Sequence, residues 1–274
     1  MNDEIMLWSF IDENGTYVIQ KEDERTIMYK VVEDDIDLRG IQIDEYWSEV
    51  NEREEIEGVK WGDKVAIVAL DEEGKVVAGR VDRVHMGEIW TGEVQKTETG
   101  YKANIEGANI ELPEGYSYKY ILIDQLENQV DGRWIWDRYV DKKVPEGAQD
   151  FKKEIEFNKP QTMVVMVVDK DGKVRDVNEV LLNYIRVEID MNKGTFIIKE
   201  AAELPEGYSY GYYGYNEGEE WWQEEGSIFK GKIIKVGEEV SAEEKEVVVV
   251  CIIKDGKLVR NVTGIFTKKN YNNY

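Results

Sequence analysis

Glu-Leu-Pro-Glu-Gly-Tyr-Ser-Tyr occurs twice, at Glu111–Tyr118 and Glu203–Tyr210, and each copy leads on to an apolar run ending in Asp-Gly-Lys. A chain that copies itself over this distance is assembled from supersecondary units, a tighter limit on its fold than any local propensity. Three such runs stack: VAIVALDEEGKVVAG from Val65, MVVMVVDKDGKVRDV from Met163 and VVVVCIIKDGKLVRNV from Val247, aligned on Gly74, Gly172 and Gly256. Upstream, NGTYVIQKE from Asn14, TGYKANIEG from Thr99 and KGTFIIKEA from Lys193 stack as well. The period of roughly 80 to 100 residues predicts three units, 1–87, 88–181 and 182–274. The first is divergent, with Glu24–Tyr29 in place of the proline phrase. Neither boundary is a Pro/Gly/Ser linker. MGEIWTGEV and VLLNYIRVEID read as strands instead, so neighbouring units are expected to abut with little hinge freedom.

Inside each unit, β-branched and aromatic runs such as TYVI, YKYILI, RWIWDRYV, TMVVMVV, IRVEI, TFII and KGKIIKV alternate with Gly, Asn and Asp clusters. That pattern predicts an all-β chain. A helix is conceivable only near Ile36–Ile56. MVVMVV and VVVVCII are apolar at every position, as for a strand central to a sandwich or covered by a neighbouring unit. The glycines of the Asp-Gly-Lys turns supply positive φ, and Pro113 and Pro205 are placed to fix φ in a type I turn closed by Gly115 and Gly207. Tyr116, Tyr118 and Tyr120 alternate, as do Tyr208, Tyr210 and Tyr212, so the Tyr-Ser-Tyr half of the phrase is the part that could meet a partner.

Seven or so strands per unit resemble an immunoglobulin-like or fibronectin-III-like sandwich. The expected fold is three tandem Ig-like antiparallel β-sandwich modules. VVDKDGKV at Val167–Val174 resembles the late hairpin of tandem Ig-like repeats in bacterial surface proteins and phage virions. The paired cysteines of antibody-type domains are absent. The resemblance implies adhesion or assembly rather than catalysis.

The net charge of −23, with no basic cluster, disfavours nucleic acid and anionic membranes. Cys251, the one cysteine, fits a buried strand and allows no internal disulfide. MNDEIMLWSF lacks a basic segment followed by a long apolar one, and no stretch approaches the length of a membrane span. A full-length chain is therefore expected in the cytoplasm or a particle assembled there, and outside the cell if a leader has been removed.

Catalysis of the Ser-His-Asp or Cys-His kind has one possible base, His85, which lies at a unit boundary with no nucleophile motif near it. One His and one Cys cannot furnish a usual zinc site. Asp169-Lys-Asp171-Gly172 opens like a calcium loop, but Val174 and Val180 occupy the positions that need Gly and Glu, so turn chemistry is the better reading. No metal or cofactor is expected. Carboxylate pairs beside tryptophans, Glu224 and Glu225 next to Trp221-Trp222 or Asp44 and Glu45 next to Trp47, make glycoside hydrolysis the last-ranked reading.

Aromatic clusters are the sharper signal. Trp134 and Trp136 should share one face of a strand, with Tyr139 nearby, whereas Trp221 and Trp222 should point oppositely. Tyr213 and Tyr215 complete the set, with Glu219, Glu220, Gln223 and Asn216 flanking it. Core packing ranks first for such residues, a protein interface second and a sugar platform third. The resulting expectation is a non-enzymatic structural or adhesive component of a larger assembly, partnered by other protein subunits or by a surface glycan through Trp221, Trp222, Tyr213, Tyr215, Trp134, Trp136 and Tyr139. A carbohydrate-binding protein is the alternative.

Overall fold

The computed structural model describes residues 5–34, 36–216, 223–242 and 245–266. Seven strands come first: β1 (Leu7–Ile11), β2 (Tyr17–Lys21), β3 (Thr26–Val32), β4 (Ser48–Glu49), β5 (Arg53–Ile56), β6 (Lys64–Leu70) and β7 (Val76–Arg83). They form a three-stranded sheet, β1-β2-β5, and a four-stranded sheet, β4-β3-β6-β7. Next come β8 (Trp90–Lys96), β9 (Tyr101–Glu106), β10 (Ser117–Ile123), β11 (Gln129–Val130), β12 (Arg133–Trp134), the helix α1 (Ile135–Tyr139), β13 (Gln149–Asp150), β14 (Glu154–Phe157), β15 (Gln161–Val168) and β16 (Val174–Leu182). Their sheets are β14-β9-β8 and β13-β10-β15-β16, with β11-β12 a separate hairpin. The last seven are β17 (Ile185–Asp190), β18 (Thr195–Ala201), β19 (Tyr208–Tyr215), β20 (Lys232–Ile233), β21 (Glu239–Ser241), β22 (Val247–Lys254) and β23 (Lys257–Phe266), in sheets β17-β18-β21 and β20-β19-β22-β23. The all-β expectation is met, since every ladder is antiparallel. Among the described residues the same three-plus-four sheet pair forms three times.

The double-faced apolar strands explain the packing. In β6, β15 and β22, one parity (Val65, Ile67 and Ala69; Met163, Val165 and Val167; Val248, Val250 and Ile252) fills the space between the two sheets. The other parity (Ala66 and Val68; Val164, Met166 and Val168; Val249, Cys251 and Ile253) is buried in separate outer clusters. A sheet with both faces apolar needs a third layer, and a fully buried Val or Ile contributes about 1.5–3 kcal/mol once covered. That layer is not a neighbouring unit. It comes from the segment joining the first two strands, in chain order, of each four-stranded sheet (β3–β4, β10–β13 and β19–β20), which brings Leu38 and Trp47, then Ile135 and Tyr139, then Phe229 onto the outer face.

This layer decides one open reading and overturns one expectation. The 36–47 segment is irregular chain, not helix, with Leu38 and Trp47 pressed onto β6. RWIWDRYV, read as a strand, instead ends a hairpin and becomes α1. Asp131 and Gly132 take φ of 54° and 73° at the turn. Ile135 and Tyr139, four residues apart, then fall on one helical face against β15.

Local turn chemistry accounts for the repeated phrases. Asp71 Oδ1 accepts the N–H groups of Glu73 and Lys75, and Asp169 Oδ1 those of Asp171 and Lys173. Arg175 Nε donates to Asp169 at 2.7 Å, so the calcium-like loop is a hairpin turn whose carboxylate is engaged by its own backbone and an arginine. In the proline phrase, the N–H groups of Tyr116 and Tyr208 donate to Pro113 and Pro205 carbonyls, and Gly115 and Gly207 have φ of 83° and 84°. The prolines therefore sit at the first turn position with positive φ at the third, a type II pattern rather than type I.

The Tyr-Ser-Tyr half faces inward, against expectation. Tyr118 packs on the first inner core and Tyr210 and Tyr212 lie in the second, while Tyr116 precedes β10 and packs on Trp61. Tyr118 Oη donates to the Ile110 carbonyl at 3.1 Å and Tyr210 Oη to the Ala202 carbonyl at 3.1 Å, each eight residues back. Burial pushes both phenols up, that of Tyr210 to about 12. Tyr118→Phe and Tyr210→Phe are each expected to lose about 1 kcal/mol in urea unfolding, the net worth of one such bond. Losses below a few tenths for both would show that the bonds do not brace the corner.

Candidate functional site

The side chains of most chemical consequence gather where consecutive sheet pairs meet. The fourth residue after each hairpin glycine is Ala78, Asp176 or Arg260, and the latter two reach back to the preceding sheet pair.

At the first joint Asp176 on β16 is 2% exposed. Its Oδ2 accepts from Trp61 Nε1 at 2.8 Å and the Met86 N–H at 3.0 Å, and lies 3.2 Å from His85 Nδ1. Burial pushes the carboxyl up, but the hydrogen bonds from His85, Trp61 and Met86 outweigh it and hold Asp176 below the usual carboxylate range. Trp61 also packs on Tyr116, with the Arg83 guanidinium 5.5 Å from its ring. Asn178 Nδ2 donates to the Gly87 carbonyl at 2.8 Å, and the inner cores of the first two sheet pairs form one buried cluster from Ile5 to Leu182. The backbones close to contact at Gly15, where φ is +84° and a Cβ would lie 2.2 Å from the Asn109 carbonyl oxygen. Gly74 has similar φ but open space around it. Gly74→Ala should therefore cost only the left-handed strain, about 1–2 kcal/mol. Gly15→Ala should cost clearly more, measured by thermal unfolding; equal losses would show that this contact does not hold the joint.

Beside Asp176 the surface opens into a groove of about 940 Å³, lined by Ser9, Phe10, Asp82, His85, Trp90 and Trp136 among others. Phe10, Trp90 and Trp136 are 39%, 41% and 44% exposed. Trp90 Nε1 donates to Glu106 at 3.1 Å, and the Trp136 ring meets His85 edge-on at 6.0 Å. Asp82 accepts from the Ser9 and Tyr17 hydroxyls and pairs with Arg80.

At the second joint, Leu126 from the β10–β11 segment is buried in the core of the last sheet pair. Arg260 on β23 pairs with both Glu179 and Glu225 and donates to the Leu126 carbonyl. Burial raises both carboxyls, opposed by the arginine. Tyr101 stacks on Tyr184 at 4.9 Å, and Lys254 pairs with Glu127 at 3.0 Å. Trp134 lines a smaller cleft of about 540 Å³ here.

The aromatic residues singled out from sequence are not brought together. Trp134 and Trp136 are both exposed, but they do not share a strand face: one ends β12 and the other lies in α1, and they line different clefts. Tyr139 is the last residue of α1 and is buried on its inner face. Tyr213 is 6% exposed and its hydroxyl donates to Asn261, which removes it from any contact surface; Tyr215 packs beside it. Both stand on β19, on the outer face of the sheet it shares with β22. Trp221, Trp222, Glu219 and Glu220 lie outside the described residues. Of the nominated carboxylates, Glu225 is tied to Arg260 and Asn128 while Glu224 points to solvent. Asp44 is engaged with Lys30 and the Tyr46 N–H, and Trp47 is buried. Sequence reasoning missed Phe10 and Trp90 as groove residues. The available signal was a tryptophan at a unit boundary beside the chain's one histidine.

No family model matches the chain, and no curated protein matches it by sequence. Among solved structures, domains 7, 8 and 9 of the S-layer protein SbsC are 12% identical, with 75% of this chain and 69% of that chain covered and a TM-score of 0.22. The chicken CNTN1 FN1-FN3 domains are 10% identical, with 97% and 98% covered and a TM-score of 0.20. The central fibronectin-III array of RIM-binding protein is 11% identical, with 96% and 95% covered and a TM-score of 0.20. The fold assignment itself rests on the sheet order and register described above.

Proposed function

We propose that this chain is a non-enzymatic structural element. On this reading its three sheet pairs are Ig-like modules, 1–87, 88–181 and 182–274, locked end to end into a stiff spacer. The spacer serves in a larger assembly such as a virion or cell surface and holds an attachment face away from its anchor. Trp134 and Trp136 are the described residues proposed for contact with protein subunits or a surface glycan, together with Trp221 and Trp222, which lie outside the described residues.

The buried Asp176 carries this reading. Domains strung on flexible linkers meet through modest, polar, hydrated surfaces. Here a desolvated carboxylate takes donors from the preceding sheet pair, and the two inner cores run together. An articulated array has no use for such a joint, which loses its hydrogen bonds on bending.

Solution scattering on the full chain should fit one fixed arrangement of the sheet pairs, and the chain should co-sediment with isolated cell envelopes or purified particles. A freely hinged chain, or a strictly monomeric one that binds neither preparation, would sink the proposal.

A further inference from the structure

We infer that the groove at the first joint is a binding site for neutral or amino-substituted oligosaccharides. Three large aromatic side chains, Phe10, Trp90 and Trp136, are partly exposed along one concavity. Soluble proteins seldom leave such residues grouped at the surface without a ligand for them. Two of the three are pre-oriented, Trp90 by its hydrogen bond to Glu106 and Trp136 by its edge contact with His85. Flat, fixed aromatic faces suit the C–H faces of pyranose rings, which carry little charge and stack without a preferred rotation.

The polar groups between them select the same class. Asp82, Glu88 and His85 interrupt the aromatic faces, so the groove is no continuous trough for an apolar peptide strand. With His85 Nδ1 engaged by Asp176, the other ring nitrogen is left to exchange hydrogen bonds with hydroxyls. The lining sets Asp82, Glu88 and Asp176 against the single cation Arg83, whose guanidinium lies over Trp61, so its formal charge is acidic. A chain of net charge −23 adds a long-range field that repels uronic, sialylated or phosphorylated glycans and favours neutral or cationic ones. The volume, about 940 Å³, is at the upper end of the range for small-ligand sites, enough for more than one sugar ring. Because the groove sits on the joint that Asp176 locks, its walls come from β1, the end of β7, the β7–β8 link, the start of β8, α1 and β16 held in one arrangement. This site does not depend on the spacer reading, since an isolated chain would bind its sugar whether or not it joins an assembly.

The full chain would be applied to an array of neutral, amino-sugar and acidic oligosaccharides, and the strongest neutral or amino-sugar hit titrated calorimetrically. Trp90→Ala and Trp136→Ala should each weaken binding more than about tenfold, as loss of a central aromatic anchor does, with melting curves near wild type. Trp8→Ala, which removes an exposed tryptophan outside the groove, should leave affinity unchanged. Should a groove variant misfold, indole N–H resonances of the wild-type chain serve instead, with Trp90 and Trp136 shifting on sugar addition and Trp47 staying put. No binding to any neutral or amino sugar, preference for acidic glycans, capture of unglycosylated peptide, or full affinity in both variants overturns the inference.

Discussion

Asp176→Ala is expected to lower the free energy of unfolding by about 3 kcal/mol at pH 7, read from urea titration, and Asp176→Asn by roughly half as much. The alanine leaves Trp61 Nε1 and the Met86 N–H buried without an acceptor, and each such orphan costs about 1–3 kcal/mol. Relief of the buried charge offsets part of that loss, which is why the figure lies below the sum. Asparagine keeps one acceptor oxygen and so rescues part of the network. The pH dependence has a definite sign. The folded-state pKa of Asp176 is below its unfolded value of about 3.9, so its contribution is complete above that value and disappears as pH falls through the folded pKa. Both variants should therefore show a shallower loss of stability in acid than the wild type. A loss under about 1 kcal/mol for the alanine would mean that the first joint is held by its apolar contacts alone.

Arg260→Ala is expected to act with similar size and the opposite pH behaviour. Removing the arginine leaves Glu179 and Glu225 half-buried and without the cation they share, a loss of about 3–5 kcal/mol at neutral pH by analogy with broken buried pairs. Burial already raises both carboxyls above their ordinary values, and loss of the arginine raises them further. A carboxyl whose folded pKa is raised stabilises the fold fully below its unfolded pKa of about 4.3, and that stabilisation fades as pH rises through the folded value. The deficit of the variant should thus shrink toward pH 4–5 and be largest at pH 7 and above. Glu225→Gln, which removes one of two anions competing for one cation, should be neutral or mildly stabilising at pH 7. Urea titrations of both variants at pH 5 and pH 8 decide the matter; a deficit independent of pH would assign the effect of Arg260 to packing of its side chain.

Particular residues show how far the sequence could be read. Asp71, Asp169 and the glycines of the hairpins act on backbone two to four residues away, so the turns were legible where they stand. The runs Met163–Val168 of β15 and Val247–Ile253 of β22 were legible as doubly buried because every position in them is apolar. The outer cover of the sheets was not, because α1 and the 36–47 segment take their shape from the outer face they lie on. Tyr118 and Tyr210 were placed correctly on strands but turned the wrong way, since alternation separates two faces without saying which is inner.

The sequence by itself determined the repeat, the antiparallel all-β character and the turns, since these arise from backbone conformations and side-chain periods within a few residues. Only the tertiary structure decided which faces are core, what covers them, and that Asp176 and Arg260 reach across from one sheet pair to the preceding one. Asp176 meets Trp61 across 115 residues of chain. No local pattern encodes such a meeting, because the energy that favours it comes from excluding water between surfaces that exist only after each sheet pair has formed.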